Sequence, residues 1–327
     1  MAKVLITTVP FGDKNRLPLE LLEKAGIEYL LNPHKTKLTE DQLADLVGDF
    51  DVIIAGTEPI TDKVLSRASN LKLISRVGIG LDSVNLNAAM KKGIKVSYTP
   101  DAPAPAVAEL TLGLMLSLLR AVHVSNFQMH QGKWQRIFGR RLTDVTIGII
   151  GMGRIGAHLL RCMMGFGKIR LLVNDIQPND ELGSEFMLKW VTKDQIYQEA
   201  DIISLHIPLT NLTRDLIRRE QLLRMKFDAM IINTSRGGII NENDLYDVMM
   251  KGHLSGAAID VFENEPYTGK LSGIENCLLT SHMGSMSIDC RTKMETEATE
   301  EAIRFLMGKT LKSEVPQTEY DVQSQGL

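Results

Sequence analysis

Short apolar runs rich in β-branched residues recur along this chain at VLITTV (4–9), DVIIAG (51–56), LKLISRV (71–77) and IKVSY (94–98), separated by helical spacing or turn signals. A second series follows at VTIGIIG (145–151), IRLLVND (169–175), DIISLHI (201–207), AMIINTS (229–235) and HLSGAAIDV (253–261), with CLLTS (277–281) behind it. Near-continuous apolar runs of this length suit parallel strands covered on both faces, because alternation would be visible if one face met water. The fold class is therefore α/β, with two doubly wound parallel-sheet domains of Rossmann-like or flavodoxin-like type.

The break between the domains falls where TPDAPAPA (99–106) packs three prolines into eight residues, a composition that continues neither a helix nor a central strand. After it, residues 107–132 read as one long helix, with Leu110, Leu114, Leu118 and Val122 recurring at intervals of four. A final amphipathic segment, about 287–307, carries Met294, Ala298, Ala302 and Phe305 at near-helical spacing and returns to complete the first domain. The first domain is thus discontinuous, 1–100 plus 288–327, and the second spans 101–287. The polar tail from Lys312 to Leu327 reads as loose.

Charge and cysteine content narrow the functional classes. A net charge of −3 over 327 residues argues against a nucleic-acid-binding surface. The odd cysteines Cys162, Cys277 and Cys290 have no metal-ligand spacing, so they read as reduced packing thiols in a cytoplasmic setting, with no metal expected. The apolar stretch from Leu110 to Leu119 is too short to cross a bilayer, so no membrane partner is expected either.

The strongest motif lies at the end of the run beginning at Val145. That strand leads into Gly151, Gly153 and Gly156 and then into the helical pattern AHLLRCMMGFG, the order required of a dinucleotide-binding turn. Gly151 permits the tight turn, Gly153 lets backbone approach a pyrophosphate, and Gly156 lets the helix pack on the strand. Amides near Arg154 and Ile155, at the positive end of the helix, then face the anion. About twenty residues on, LLVND ends in Asp175, whose carboxylate suits the adenosine ribose hydroxyls and repels a 2′-phosphate. The cofactor this implies is NAD, and 101–287 becomes the NAD-binding domain, leaving the discontinuous domain for substrate.

Three further residues follow strands of the second series. Arg236 comes after AMIINTS and before two glycines, and its planar fork suits a carboxylate with an adjacent carbonyl oxygen. His282 follows CLLTS and can exchange a proton near neutrality. Glu265, in VFENEP, can hold one imidazole nitrogen. Taken singly, these could be a surface anchor, a histidine at a loop start and a turn residue. Together they form a set able to polarise a 2-oxo acid and protonate the forming alkoxide. His206, ending the strand in SLHIPLT, reads as lining the cofactor.

These stretches, with RVGIGLDSVN (76–85), VAE (107–109), INTSRGGIINENDL (232–245), GAAIDVFENEP (256–266) and SHMGSMS (281–287), span most of the chain in order. The sequence resembles the D-isomer-specific 2-hydroxyacid dehydrogenases, and among them looks most like the D-3-phosphoglycerate dehydrogenases. The resemblance implies that Arg236, Glu265 and His282 are catalytic, with Arg236 and His282 also binding substrate. It places Thr234, Ser235, Asp260, Gly284 and Ser285 beside the nicotinamide, joined by His206 and Pro208, and has Gly78 and Ile79 offer backbone amides to the substrate carboxylate. It also implies a homodimer, with the long helix as its surface, and two domains that close over a small 2-hydroxy or 2-oxo acid, 3-phosphoglycerate among the candidates. Ser285, Met286 and Ser287 depart from the usual pattern after the histidine. Thr57 and Glu58 stand where phosphoglycerate enzymes often carry arginine, which sets a phosphate clamp in doubt. No appended serine-binding domain is expected. Alternatives are a phosphite or phosphonate-acid dehydrogenase, a hydroxypyruvate or glyoxylate dehydrogenase, and a non-catalytic NAD-binding corepressor.

Overall fold

The computed structural model describes residues 2–186 and 188–324, which divide into two compact units, Met1–Pro103 with Met286–Leu327 and Ala104–Ser285. The first unit holds a five-stranded sheet of β1 (Lys3–Ile6), β2 (Glu28–Leu31), β3 (Val52–Ala55), β4 (Leu73–Arg76) and β5 (Lys95–Ser97). All pairings are parallel, in the order β2-β1-β3-β4-β5. Every residue of β3 and β4 is buried, which accounts for their unbroken apolar sequence. The helix Ile288–Leu306 buries Met294, Ala298 and Ala302, and the Ser75 hydroxyl donates to the Ala298 carbonyl at 2.8 Å, so the C-terminal segment belongs to this unit's core. Winding reverses between β1 and β3, which leaves a crevice at the carboxyl ends of those strands.

The second unit holds β6 (Thr146–Ile150), β7 (Arg170–Asn174), β8 (Ile202–Leu205), β9 (Met230–Asn233), β10 (Gly256–Ile259) and β11 (Cys277–Leu279). They form one parallel sheet in the order β11-β10-β9-β8-β6-β7. Here the winding reverses between β6 and β8. The α/β class and the doubly wound sheets are as the apolar runs require.

Three features differ from the sequence reading. The expected single helix over 107–132 is two, Ala104–Leu119 and Val122–His130, bent by 68°. The Arg140 amide donates to the Leu119 carbonyl at 2.9 Å, capturing the acceptor a continuing helix needs, and Ala121 turns left-handed at φ 48°. The tail is not loose through its length. The Val315 amide pairs with the Val96 carbonyl at 2.9 Å, and the helix Gln317–Ser324 buries Tyr320. The side-chain Oε1 of Gln323 in that helix accepts from the Leu86 amide at 2.7 Å while its Nε2 donates to the Val84 carbonyl at 2.8 Å. Residues 325–327 of that tail lie outside the described residues. Lastly, β2 escaped the sequence reading because an edge strand of four mostly exposed residues has no buried face to impose a pattern. Among the described residues, no single helix is long and apolar enough to cross a membrane.

Candidate active site

The glycine turn follows β6, at the second unit's switch point. Gly151 has φ +99°, and a Cβ there would meet the His206 carbonyl oxygen at 2.3 Å; a Cβ on Gly156 would meet the Gly151 oxygen at 2.3 Å. Both glycines are thus demanded by the protein's own packing. Gly153 is different, because a Cβ there meets nothing within 4 Å. It precedes the helix Arg154–Met163, whose start no side chain caps. The helix therefore presents amide donors and its positive dipole end to space beside a glycine that the protein alone does not need. Asp175, past the end of β7, reaches the same turn, with Oδ2 accepting from the Met152 amide at 2.6 Å and Oδ1 from the Gln177 amide at 2.9 Å.

His206 follows β8, next to the turn. Its Nε2 lies 2.8 Å from the Ser204 hydroxyl, and its buried Nδ1 has no partner among the described residues. Burial pushes the imidazole down to about 4, so it is neutral at ordinary pH and suited to lining a pocket rather than to carrying charge. Pro208, two residues on, is exposed, and its carbonyl accepts from the Thr213 hydroxyl at 2.6 Å.

Arg236, Glu265 and His282 follow β9, β10 and β11, three neighbours in the sheet, so parallel pairing delivers all three to one carboxyl edge. A Cβ on Gly237 would lie 2.0 Å from the Phe262 carbonyl carbon, so the turn carrying Arg236 is pressed backbone to backbone against the loop carrying Glu265. The Asn233 side-chain amide donates to the Arg236 carbonyl at 2.8 Å, and an Arg236 guanidinium nitrogen donates to the Ser235 carbonyl at 2.6 Å. His282 Nδ1 lies 2.9 Å from Glu265 Oε2 and 3.1 Å from Oε1. A carboxylate only accepts, so Nδ1 carries hydrogen and Nε2 is the nitrogen left for proton exchange. The Phe262 amide donates to Glu265 at 3.1 Å and steadies it from behind.

His282 sits at φ 54°, a region unusual for a residue with a side chain. Asp260 supplies the restraint. It is 0% exposed, and its carboxylate accepts from the Thr280 hydroxyl at 2.6 Å, the Met283 amide at 2.7 Å and the Gly284 amide at 2.9 Å. Its carbonyl accepts from the His282 amide at 2.8 Å. Expected beside the nicotinamide, Asp260 here spends both oxygens on the loop that carries His282. Ser285 follows that loop, half-buried.

The buried Thr234 and Ser235 likewise use their hydroxyls internally, with Thr111 at 2.8 Å and donating to the Leu205 carbonyl at 2.6 Å.

A family model described as D-isomer specific 2-hydroxyacid dehydrogenase, NAD binding domain, matches residues 112–284. The hydroxypyruvate reductase of Thermotoga maritima is 35% identical over 297 residues, covering 87% of this chain and 96% of that protein. The chain belongs to the D-isomer specific 2-hydroxyacid dehydrogenase family. The D-3-phosphoglycerate dehydrogenase of Methanocaldococcus jannaschii is 34% identical over 96% of the chain, which spans 59% of that protein's length. Among solved structures, the TT0316 protein of Thermus thermophilus superposes with a TM-score of 0.86 at 30% identity, covering 96% of this chain and 100% of that one.

This 2-hydroxyacid dehydrogenase is an NAD-dependent oxidoreductase, and its glycine turn fits the cofactor on structural grounds: an uncapped helix start, an open cradle at Gly153 and a buried His206 Nδ1 with no partner among the described residues. In its first unit, the buried Gly78 donates its amide to the Thr99 hydroxyl at 2.7 Å, and Ile79 follows it, half-buried. The sequence reading missed Asn233, Thr280 and Gly237. A polar residue ending a buried apolar run, as Asn233 does in IIN, was the available signal for the first.

Proposed function

We propose that this dehydrogenase interconverts a short 2-oxo acid and its 2-hydroxy acid through Arg236, Glu265 and His282. The reading rests on one observation: the His282–Glu265 pair lies on the same sheet edge as the turn of Arg236, each following one of three adjacent strands. When bound, NADH supplies the hydride that reaches the keto carbon. His282 holds a proton at Nε2 and gives it to the carbonyl oxygen as the C=O π pair moves there, so the products are the alcohol and NAD⁺. Glu265, held by the Phe262 amide, keeps the ring oriented and offsets its positive charge before transfer. Arg236 binds the carboxylate and stabilises charge developing on the neighbouring oxygen.

His282→Ala is expected to lower kcat by roughly 10²- to 10⁴-fold, the usual contribution of a positioned acid–base group, with NADH affinity changed less than about twofold. Turnover within tenfold of wild type refutes the assignment. The names of relatives support a short substrate, since they include hydroxypyruvate, glyoxylate and phosphoglycerate enzymes. Tight NADH binding with no turnover on any such acid favours the corepressor alternative.

A homodimer is part of the same reading. The helix Val122–His130 buries none of its residues, and nearby Trp134 and Phe138 are 79% and 103% exposed, an apolar surface that a second copy would cover. Wild type sedimenting as a dimer and Trp134→Ser/Phe138→Ser as a monomer support this; a monomeric wild type refutes the dimer, and a variant that stays dimeric refutes this surface. The three cysteines are unpaired, with burial pushing Cys277 up to about 12 and Cys290 to about 11, in keeping with the cytoplasm, where we place the protein.

A further inference from the structure

The segment INENDL (240–245) leads from the turn of Arg236 into the helix Glu242–Met250. Asn241 caps that helix, its side chain accepting from the Asp244 amide at 3.1 Å, and Asp244 already brings negative charge to the first turn. A second carboxylate at Glu242 is therefore not needed to start the helix. The half-buried Glu242 instead reaches the loop that carries Glu265, where its Oε1 accepts from the Glu263 amide at 2.8 Å. Burial pushes the Glu242 carboxyl up, the Glu263 amide opposes that rise, and the negative charges of Glu263 and Glu265 add to it. A carboxylate is thus kept at this position against a local electrostatic cost.

The other ties on the loop differ in strength. Arg214 pairs with the Glu263 carboxylate at 3.4 Å, but both side chains are more than half exposed, so solvent screens the pair to a small contribution. Phe262 stacks on Tyr267 with ring centroids 4.1 Å apart. The peptide unit joining Phe262 to Glu263 is the one pressed against Gly237, and the amide that Glu242 accepts from belongs to that same unit. The turn of Arg236, the start of the following helix and the loop of Glu265 therefore meet at one peptide, two residues before Glu265.

We infer that Glu242 is a positioning residue: by accepting from the Glu263 amide it holds the loop of Glu265, and through Glu265 the ring of His282, in register with the turn of Arg236. The inference rests on the catalytic reading of those three residues above and adds a side chain that acts through them. Without that acceptor the peptide unit can rotate and the Glu265 carboxylate can drift from Nδ1 of His282. Misplacement of a reacting group by about 1 Å can cost on the order of 100-fold in rate.

The test is NADH oxidation with whichever of hydroxypyruvate, glyoxylate and 3-phosphohydroxypyruvate wild type turns over fastest, alongside NADH titration and thermal unfolding. Glu242→Ala is expected to lower kcat by about 10- to 100-fold while KM and the NADH Kd change less than about threefold. Glu242→Gln keeps a carbonyl oxygen for the same amide and should bring kcat back to within about threefold of wild type. Asn241→Ala removes the cap of the same helix, where the side chain bonds Asp244 and Asp215, and should lower Tm with kcat held within about threefold. Should Glu242→Ala fail to fold, Glu242→Met, similar in length and without an oxygen acceptor, takes its place. A near-normal kcat in the folded Ala or Met variant overturns the inference. So does a Gln variant as slow as Ala, or an Asn241→Ala enzyme that loses kcat to the same degree. Those results leave the catalytic trio standing, whereas wild type without turnover on any of the three acids, or a fully active His282→Ala, sinks the functional reading and this inference with it.

Discussion

Replacing each glycine of the 151–156 turn with alanine separates what the fold needs from what the cofactor needs. At Gly151, the left-handed φ of +99° costs a Cβ-bearing residue on the order of 1–2 kcal/mol, and the new carbon lies 2.3 Å from a backbone oxygen that cannot swing away. At Gly156 the clash is with the Gly151 oxygen, also at 2.3 Å. Strain and overlap together put each loss at roughly 3 kcal/mol or more, which for a domain of this size lowers Tm by about 6–12 °C. At Gly153, φ is −70° and nothing lies within 4 Å, so the alanine fits; the restricted unfolded chain favours it and the weaker N-cap preference of alanine opposes it, so stability should change by less than about 1 kcal/mol. The same methyl group stands where a pyrophosphate approaches the helix start. Losing one charge-assisted backbone bond weakens NADH binding by roughly 10- to 100-fold. Thermal unfolding without cofactor and NADH fluorescence titration read the two effects independently. If Gly153→Ala melts as early as the other two, or binds NADH as wild type does, the assignment of that open space to the cofactor is wrong.

Two further outcomes follow from the surroundings of the histidines. Asp260→Asn keeps the shape but cannot accept three donors, so the loop of His282 should loosen; a loss of about 2–4 kcal/mol in unfolding free energy and a fall in kcat with little change in NADH affinity are expected, and wild-type values for both refute the positioning role. Because the His206 pKa is lowered to about 4 in the folded state from 6.5, the unfolded chain binds the extra proton first as pH falls. Its stabilising contribution is present above about pH 6.5 and is lost toward pH 4, by roughly 3 kcal/mol in all. His206→Gln should therefore show a shallower decline in Tm over that range than wild type, and parallel curves count against it.

Much of the molecule was legible in the chain because buried parallel strands must be apolar along their whole length. That requirement alone marked ten of the eleven strands, and β2 was lost for the converse reason, being an edge strand that buries little. The glycine turn, Asp175, Arg236, Glu265 and His282 could be found because each follows such a run, and position at a strand's carboxyl end carries over directly into the fold.

What the sequence determined by itself was therefore the class of fold, the cofactor turn and the membership of the strand-end set, since these follow from local pattern and spacing. Tertiary structure alone decided what each group is bonded to. It fixed Nδ1 of His282 on Glu265, turned the Asp260 carboxylate toward the loop at 280–284, gave the Gly78 amide to Thr99 and broke the helix at Ala121. Hydrogen bonds join residues brought close by strand order and loop packing, and separation along the chain contains no record of that proximity.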